Sequence, residues 1–249
     1  MTTPLAFLHG WGQSARVWHG QREHFSQGWS VNMLNLPGHG GAADAPASEW
    51  VNILQASLPE EPCVLVGWSL GGMLAMQLAA AFPQRIAGLV LVSTTPCFCN
   101  RPGWTHGCPD EVFRDSESGV KENTAKAMIR FFALILHVLH GDDLTRLEFN
   151  AIAKAAVDRT HPASTDGLIH GLSLLRDLDL RNMLSDIDIP CLVMHGDQDA
   201  VVPLAAGEYL ADHISGAALE RFEGCGHAPF LTETGKFNQR LEDWCRNIM

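Results

Sequence analysis

Between Cys63 and Phe82 the chain runs from an apolar stretch straight through Gly67-Trp-Ser69-Leu-Gly71-Gly72 into a helical period, and few folds accommodate that. The stretch Cys63–Val66 shows no polar alternation, as expected of a strand buried on both faces of a parallel sheet. Leu70–Phe82, closed by Pro83, reads as the helix. A turn this tight between strand and helix strains its central residue and lifts that side chain clear of the sheet. Glycines two residues before and after it are needed because side chains there would collide with neighbouring backbone. Ser69 is thereby placed at the N-terminus of a helix, whose dipole favours a developing anion. Gly-x-Ser-x-Gly alone is often an ordinary glycine turn; the strand before it and the helix after it give the pattern its meaning.

Similar short apolar runs occur at Leu5–Leu8, Val31–Leu36 and Leu89–Val92. Between them, Ser48–Leu58 opens on a candidate N-cap and places Trp50, Ile53, Leu54 and Leu58 on one helical face. Alternation of strand and helix predicts an α/β fold with a mostly parallel, doubly wound sheet. From Pro96 to Leu184 the pattern becomes helical, with periods over Val120–Leu139, Asp142–Asp158 and Ser164–Leu175. Strands return at Cys191–Gly196 and Leu219–Glu223, followed by a helix over Glu233–Ile248 with Phe237, Leu241, Trp244 and Ile248 on one face. The expected organisation is a core formed by 1–95 and 185–249, with 96–184 inserted as a helical cap over the strand ends.

The formal charge of −11 argues against nucleic acid, whose binding rests on neutralising phosphates. No apolar run approaches the ~18–20 residues of a membrane span, and no basic region precedes an apolar stretch at the N-terminus, so no secretory signal is read. The 7 cysteines are odd in number and scattered through apolar segments, which predicts reduced thiols in a cytoplasmic protein. A monomer is expected. The charge is uneven: residues 97–184 carry 10 basic against 12 acidic residues, the remainder 7 against 16.

A serine hydroxyl needs a base to become a nucleophile. After an elbow of this kind the acid and then the histidine follow in chain order, which selects His227 in Gly224-Cys-Gly226-His227-Ala-Pro-Phe. The loop after Cys191–Gly196 offers two carboxylates. Asp197, immediately after the strand, is expected to tie down the turn. Asp199, two residues further out, is expected to reach the histidine and fix its tautomer. The N–H of Leu70 and that of Trp11, in His9-Gly10-Trp11-Gly12, form the expected oxyanion hole. Trp11, Ser69, Leu70 and His227 would then all touch substrate. His9 is read as a brace for its own loop. Cys97-Phe-Cys99 with His106 and Cys108 has the wrong spacing for zinc, and Pro37-Gly-His39-Gly40-Gly41 lacks the lysine of a phosphate loop. No metal and no cofactor is expected.

Taken together, His9-Gly-Trp-Gly, Val17-Trp18, Leu36-Pro-Gly-His-Gly, Gly67-Trp-Ser-Leu-Gly-Gly, Ser93-Thr-Thr-Pro-Cys-Phe and Gly226-His-Ala-Pro-Phe resemble the pimeloyl-acyl-carrier-protein methyl ester esterases of biotin synthesis. The resemblance spans essentially the whole chain. It implies an α/β-hydrolase fold and release of methanol from the ω-ester of a pimeloyl chain on an acyl carrier protein. It also implies that Phe131, in Arg130-Phe-Phe-Ala-Leu, lines the acyl channel. One departure is that such proteins usually have a strand pair ahead of the His-Gly strand, which here begins at Leu5, so a missing N-terminal strand pair is expected. Carrier proteins are acidic, and within 121–159 Lys121, Lys126, Arg130, Arg146, Lys154 and Arg159 outnumber five acids. Lys126 and Arg130, at i,i+4, are candidate docking residues, a solvated helix face being the alternative. The alternative function is a broad short-chain carboxylesterase or a carbon–carbon bond hydrolase acting on a free small molecule.

Overall fold

The computed structural model describes residues 3–137 and 146–248, with the backbone alone for 136, 137 and 146–149. Six strands, β1 (Leu5–Leu8), β2 (Val31–Leu34), β3 (Cys63–Trp68), β4 (Ile86–Val92), β5 (Cys191–Gly196) and β6 (Ala218–Phe222), form one sheet in the order β2-β1-β3-β4-β5-β6. Every pairing is parallel. The first strand lies second in the sheet, and β2 forms the edge. The strand expected over 31–36 stops at Leu34, because Asn35 turns its amide to accept from Ala15 N (2.7 Å) and donate to Gly40 O (3.0 Å).

The pleat divides each apolar run between two cores. Ala6, Leu8, Cys63, Leu65, Leu89, Leu91 and Val193 face one. Leu5, Phe7, Val64, Val66, Trp68, Val90, Val92 and Met194 face the other. The helices are α1 (His19–Phe25), α2 (Trp50–Ser57), α3 (Leu70–Ala81), α4 (Asp110–His137), α5 (Arg146–Ala156), α6 (Thr165–Asp177), α7 (Leu204–His213), α8 (Pro229–Thr232) and α9 (Thr234–Ile248). The first core is covered by α2, α3 and α7 through Trp50, Leu54, Leu74 and Leu210. The second is covered by α1, α8 and α9 through Phe25, Phe230, Phe237 and Leu241, so the sheet is wound on both faces.

Two helices start where the sequence did not place them. A 3-10 turn over Ala47–Glu49 precedes α2, so Ser48 lies inside the turn and is not the N-cap. On α2, Ile53 points outward at 37% exposure, while Trp50, Leu54 and Leu58 are buried. The helix expected from Val120 begins at Asp110, after Pro109, and breaks at Asn123 (φ −157°, ψ 87°). There the Asn123 side chain accepts from Lys126 N at 3.0 Å, a fresh N-cap restarting the helix. The helix expected from Asp142 is seen from Arg146, its first residues lying outside the described ones. Ser164 caps α6, accepting from Gly167 N at 2.9 Å, and its backbone N–H donates to Gly38 O at 2.7 Å. That bond ties the inserted helices to the loop after β2, where Gly38 (φ +72°) lies so close to Gly167 that a Cβ would meet its Cα at 2.6 Å. Among the described residues no helix is long and apolar enough to cross a membrane.

Candidate active site

Ser69 links β3 to α3 at φ 55°, ψ −120°, a backbone conformation few non-glycine residues adopt. The surroundings hold it there: Ser69 N donates to Val92 O (3.0 Å), and Thr94 Oγ1 donates to Ser69 O (2.7 Å). The flanking glycines are needed for space. A Cβ on Gly67 would meet Gly71 O at 2.5 Å, one on Gly71 would meet Leu8 O at 2.7 Å, and one on Gly72 would strike the Thr94 side chain at 2.7 Å. Gly71→Ala forces α3 away from the end of β1, where backbone cannot yield. We expect a variant destabilised by about 2–4 kcal/mol, in the range of overpacking and backbone strain combined. Urea unfolding measures it, and a midpoint within error of wild type would show that the contact relaxes freely.

The loops after β5 and β6 are joined by backbone. Asp197 N donates to Phe222 O (3.1 Å), Gln198 N to Cys225 O (2.9 Å), and the Asp197 carboxylate accepts from Gly224 N (2.8 Å). Asp197 thus secures the turn, while Asp199 points inward. One oxygen of Asp199 accepts from Val201 N (2.8 Å) and Val202 N (2.9 Å); the other lies 2.8 Å from His227 Nδ1. Burial alone would raise the Asp199 pKa. The charge of His227 and the hydrogen bonds from His195 and His227 outweigh burial and hold the carboxyl well below the usual carboxylate range. His227 is fixed from behind by Trp68, whose Nε1–H donates to His227 O (2.8 Å). Its Nε2 is buried and has no hydrogen-bond partner among the described residues.

Trp11 N–H makes no hydrogen bond among the described residues, and Leu70 N–H opens α3, where no carbonyl of the helix can reach it. The Trp11 indole is held by the inserted helices: Nε1–H donates to Leu168 O (2.8 Å), and the ring meets Phe131 edge-on at 4.9 Å. Lys126 and Arg130 are exposed on α4 with no ion pair among the described residues, and Ile129 beside them is 71% exposed.

His9 and His39 brace the Trp11 loop as a pair. His9 Nε2 accepts from Leu36 N (3.0 Å) while Nδ1 faces Gly10 O (2.8 Å); His39 Nε2 accepts from Gly12 N (3.2 Å) while Nδ1 faces Pro37 O (2.8 Å). Both are therefore neutral with fixed tautomers. Burial, reinforced by the neighbouring His39, lowers the His9 pKa from 6.5 to about 3. The unfolded chain then binds a proton here that the folded chain refuses. Stability is fully present above about pH 6.5 and is lost progressively as pH falls toward 3. Unfolding free energy should drop from pH 7 to 5, and more shallowly in His9→Gln, whose amide oxygen can still accept from Leu36 N. Identical slopes would place the dependence elsewhere.

Two neighbours of the site were not singled out from the sequence as site residues, although Ser93 opens the run Ser93-Thr-Thr-Pro-Cys-Phe. Ser93, after β4, has φ 42° and a buried hydroxyl without a partner among the described residues. His195, on β5, is fully buried with Nε2 3.4 Å from Asp199. His195 does not stand apart, in sequence, from an ordinary strand-end residue.

A parallel sheet wound on both faces, with a strained serine between strand and helix and a buried carboxylate–imidazole pair after the last two strands, defines a class of hydrolase. The chain belongs to the alpha/beta hydrolase fold family, which it matches over residues 3–234. It is 38% identical to a pimeloyl-acyl-carrier-protein methyl ester esterase of Aromatoleum aromaticum, covering 97% of this chain and 98% of that protein. It is 34% identical to the protein of the same name from Nitrosomonas europaea, covering 94% and 92%. Among solved structures, an esterase from Exiguobacterium antarcticum superposes with a TM-score of 0.85 at 25% identity, covering 98% of this chain and 92% of that one.

Proposed function

We propose that this chain is a serine carboxylesterase that hydrolyses the methyl ester of pimeloyl-acyl-carrier protein to pimeloyl-acyl-carrier protein and methanol in biotin synthesis, working as a cytoplasmic monomer. The observation that carries the chemistry is the His227 Nδ1–Asp199 contact of 2.8 Å, with Nε2 left without a partner among the described residues. Full-length likeness to proteins named for that substrate supports the choice of ester. Ser69 Oγ attacks the ester carbonyl as its proton passes to His227 Nε2, and Asp199 fixes the tautomer and stabilises the imidazolium. The N–H groups of Trp11 and Leu70 receive the oxyanion, each worth about 2.7–4 kcal/mol. Collapse breaks the carbon–oxygen bond to methoxide, which takes the proton from His227 and leaves as methanol. Water, deprotonated by His227, then attacks the acyl carbonyl; the bond to Ser69 Oγ breaks, Oγ takes the proton back from His227, and the carboxylate is freed. Residues 96–184 act as the cap, with Phe131 against Trp11 lining the acyl channel.

Complementation of a biotin auxotroph lacking its methyl esterase tests the reading. Growth with wild type and none with Ser69→Ala is expected. Failure to complement, combined with rapid hydrolysis of short aryl esters, would move the assignment to a small-ester carboxylesterase.

Carrier docking has its own test. Lys126→Glu with Arg130→Glu should raise KM for the carrier-bound ester about tenfold at low salt. The loss should shrink at high salt, since the screening length falls from about 10 Å at 0.1 M to about 3 Å at 1 M. A small uncharged ester should be hydrolysed as by wild type. Equal losses on both substrates would indicate a damaged cap, and no loss on either would leave these residues as solvated surface.

A further inference from the structure

Asp199 faces two imidazoles, and the second is outside the proposed triad. His195 lies on β5 four residues before Asp199, and both side chains are fully buried, with His195 Nε2 3.4 Å from the Asp199 oxygen that His227 contacts. The same Nε2 lies 2.9 Å from Val202 O. A carbonyl only accepts, so Nε2 carries the hydrogen and shares it between Val202 O and Asp199 Oδ2. Nδ1 is buried without a partner among the described residues, and it lies so close to α7 that a Cβ on Gly207 would meet it at 2.5 Å. Gly207 therefore makes room for this ring. A buried polar atom left unsatisfied costs about 1–3 kcal/mol, a cost that an apolar side chain at this position would not carry.

Resting on the triad reading above, we propose that His195 is a positioning residue. Its Nε2–H holds the Asp199 carboxylate in the orientation that meets His227 Nδ1, and it tempers the basicity of that carboxylate. Among the described residues the Asp199 loop has no other side-chain anchor at that oxygen: Oδ1 is taken by Val201 N and Val202 N, and Oδ2 has the two histidines. Among the described residues the charged and titratable groups facing the pair are few. Asp199 meets His195 and His227; His227 packs against the uncharged Trp68; and Asp197, nearest in sequence, is engaged with Gly224 N. Without the His195 hydrogen bond the carboxylate is a stronger base and stabilises the His227 imidazolium more. The acid limb of kcat/KM should then move to higher pH.

The test compares His195→Leu, which removes the donor, with His195→Gln, whose Nε2 amide reaches the same place. On a small aryl ester, His195→Leu should lower kcat about tenfold, the scale of one hydrogen bond to a charged group. KM should stay within about twofold and the acid limb should move up. His195→Gln should restore both kcat and the limb. Nitrogen-15 NMR of histidine-labelled wild type supplies a readout that needs no variant: His195 should show the Nε2–H tautomer that its contact with Val202 O requires. A wild-type limb in His195→Leu, an equal loss in both variants, or an Nδ1–H tautomer would each overturn the proposal. Ser69→Ala in the same assay separates the two readings. If it retains activity, the triad itself is wrong; if it is inactive while His195→Leu behaves as wild type, only the role of His195 falls.

Discussion

Ser69→Ala and His227→Ala should each lower kcat by about 10⁴–10⁶-fold on any ester, and the double variant should be no worse than the poorer single one. In the proposed mechanism Ser69 and His227 act on one proton, so either loss would remove the same step and the effects would not add. What should survive is the rate that the proposed oxyanion hole of Trp11 and Leu70 N–H gives by binding alone. Ser69→Ala should keep its fold, because Val92 O and Thr94 hold this residue through its backbone and not through Oγ. Far-UV circular dichroism and stopped-assay kinetics measure both parts. A Ser69→Ala variant within 100-fold of wild type would remove the acyl-enzyme from the mechanism.

Asp199→Asn and Asp197→Asn should separate sharply, although the residues stand two apart. Asp199→Asn puts an amide N–H or a neutral oxygen opposite His227 Nδ1, turning the imidazole to the wrong tautomer, and should cost about 10⁴ in kcat. Asp197→Asn keeps an oxygen that accepts from Gly224 N, so activity should stay within a few-fold and the loss should appear as a slightly lower melting temperature. The inverse result would assign the acid to Asp197. Measured on one small ester at saturating substrate, the comparison isolates orientation of the base from binding.

The elbow was legible because its chemistry is local. A strand, a strained turn and a helix in succession need Gly67, Gly71 and Gly72, and the strand ends and the next turn that those glycines touch lie where the apolar pattern puts them. β1, β3, β4 and β5 were legible too, since burial leaves a continuous apolar run, while the edge strands β2 and β6, also read from the sequence, are only partly covered. Less visible was α7, whose buried face consists of Ala206, Gly207 and Leu210, too small a signal to stand out. Ile53 was placed inward because period alone cannot say how wide the buried face of α2 is.

The sequence by itself determined the order of the strands, the serine at its turn, and the two loops on which an acid and a base are expected. Which carboxylate meets His227 was decided by tertiary structure. The backbone bonds joining the β5 and β6 loops occupy Asp197 and aim Asp199 inward, and these contacts span 25–28 residues of chain. Tertiary structure alone also brought Trp68 behind His227, Leu168 onto Trp11, and His195 onto Asp199. A histidine near the end of a buried strand has no periodic signature. Only the approach of a neighbouring loop gives its one hydrogen an acceptor to hold in place.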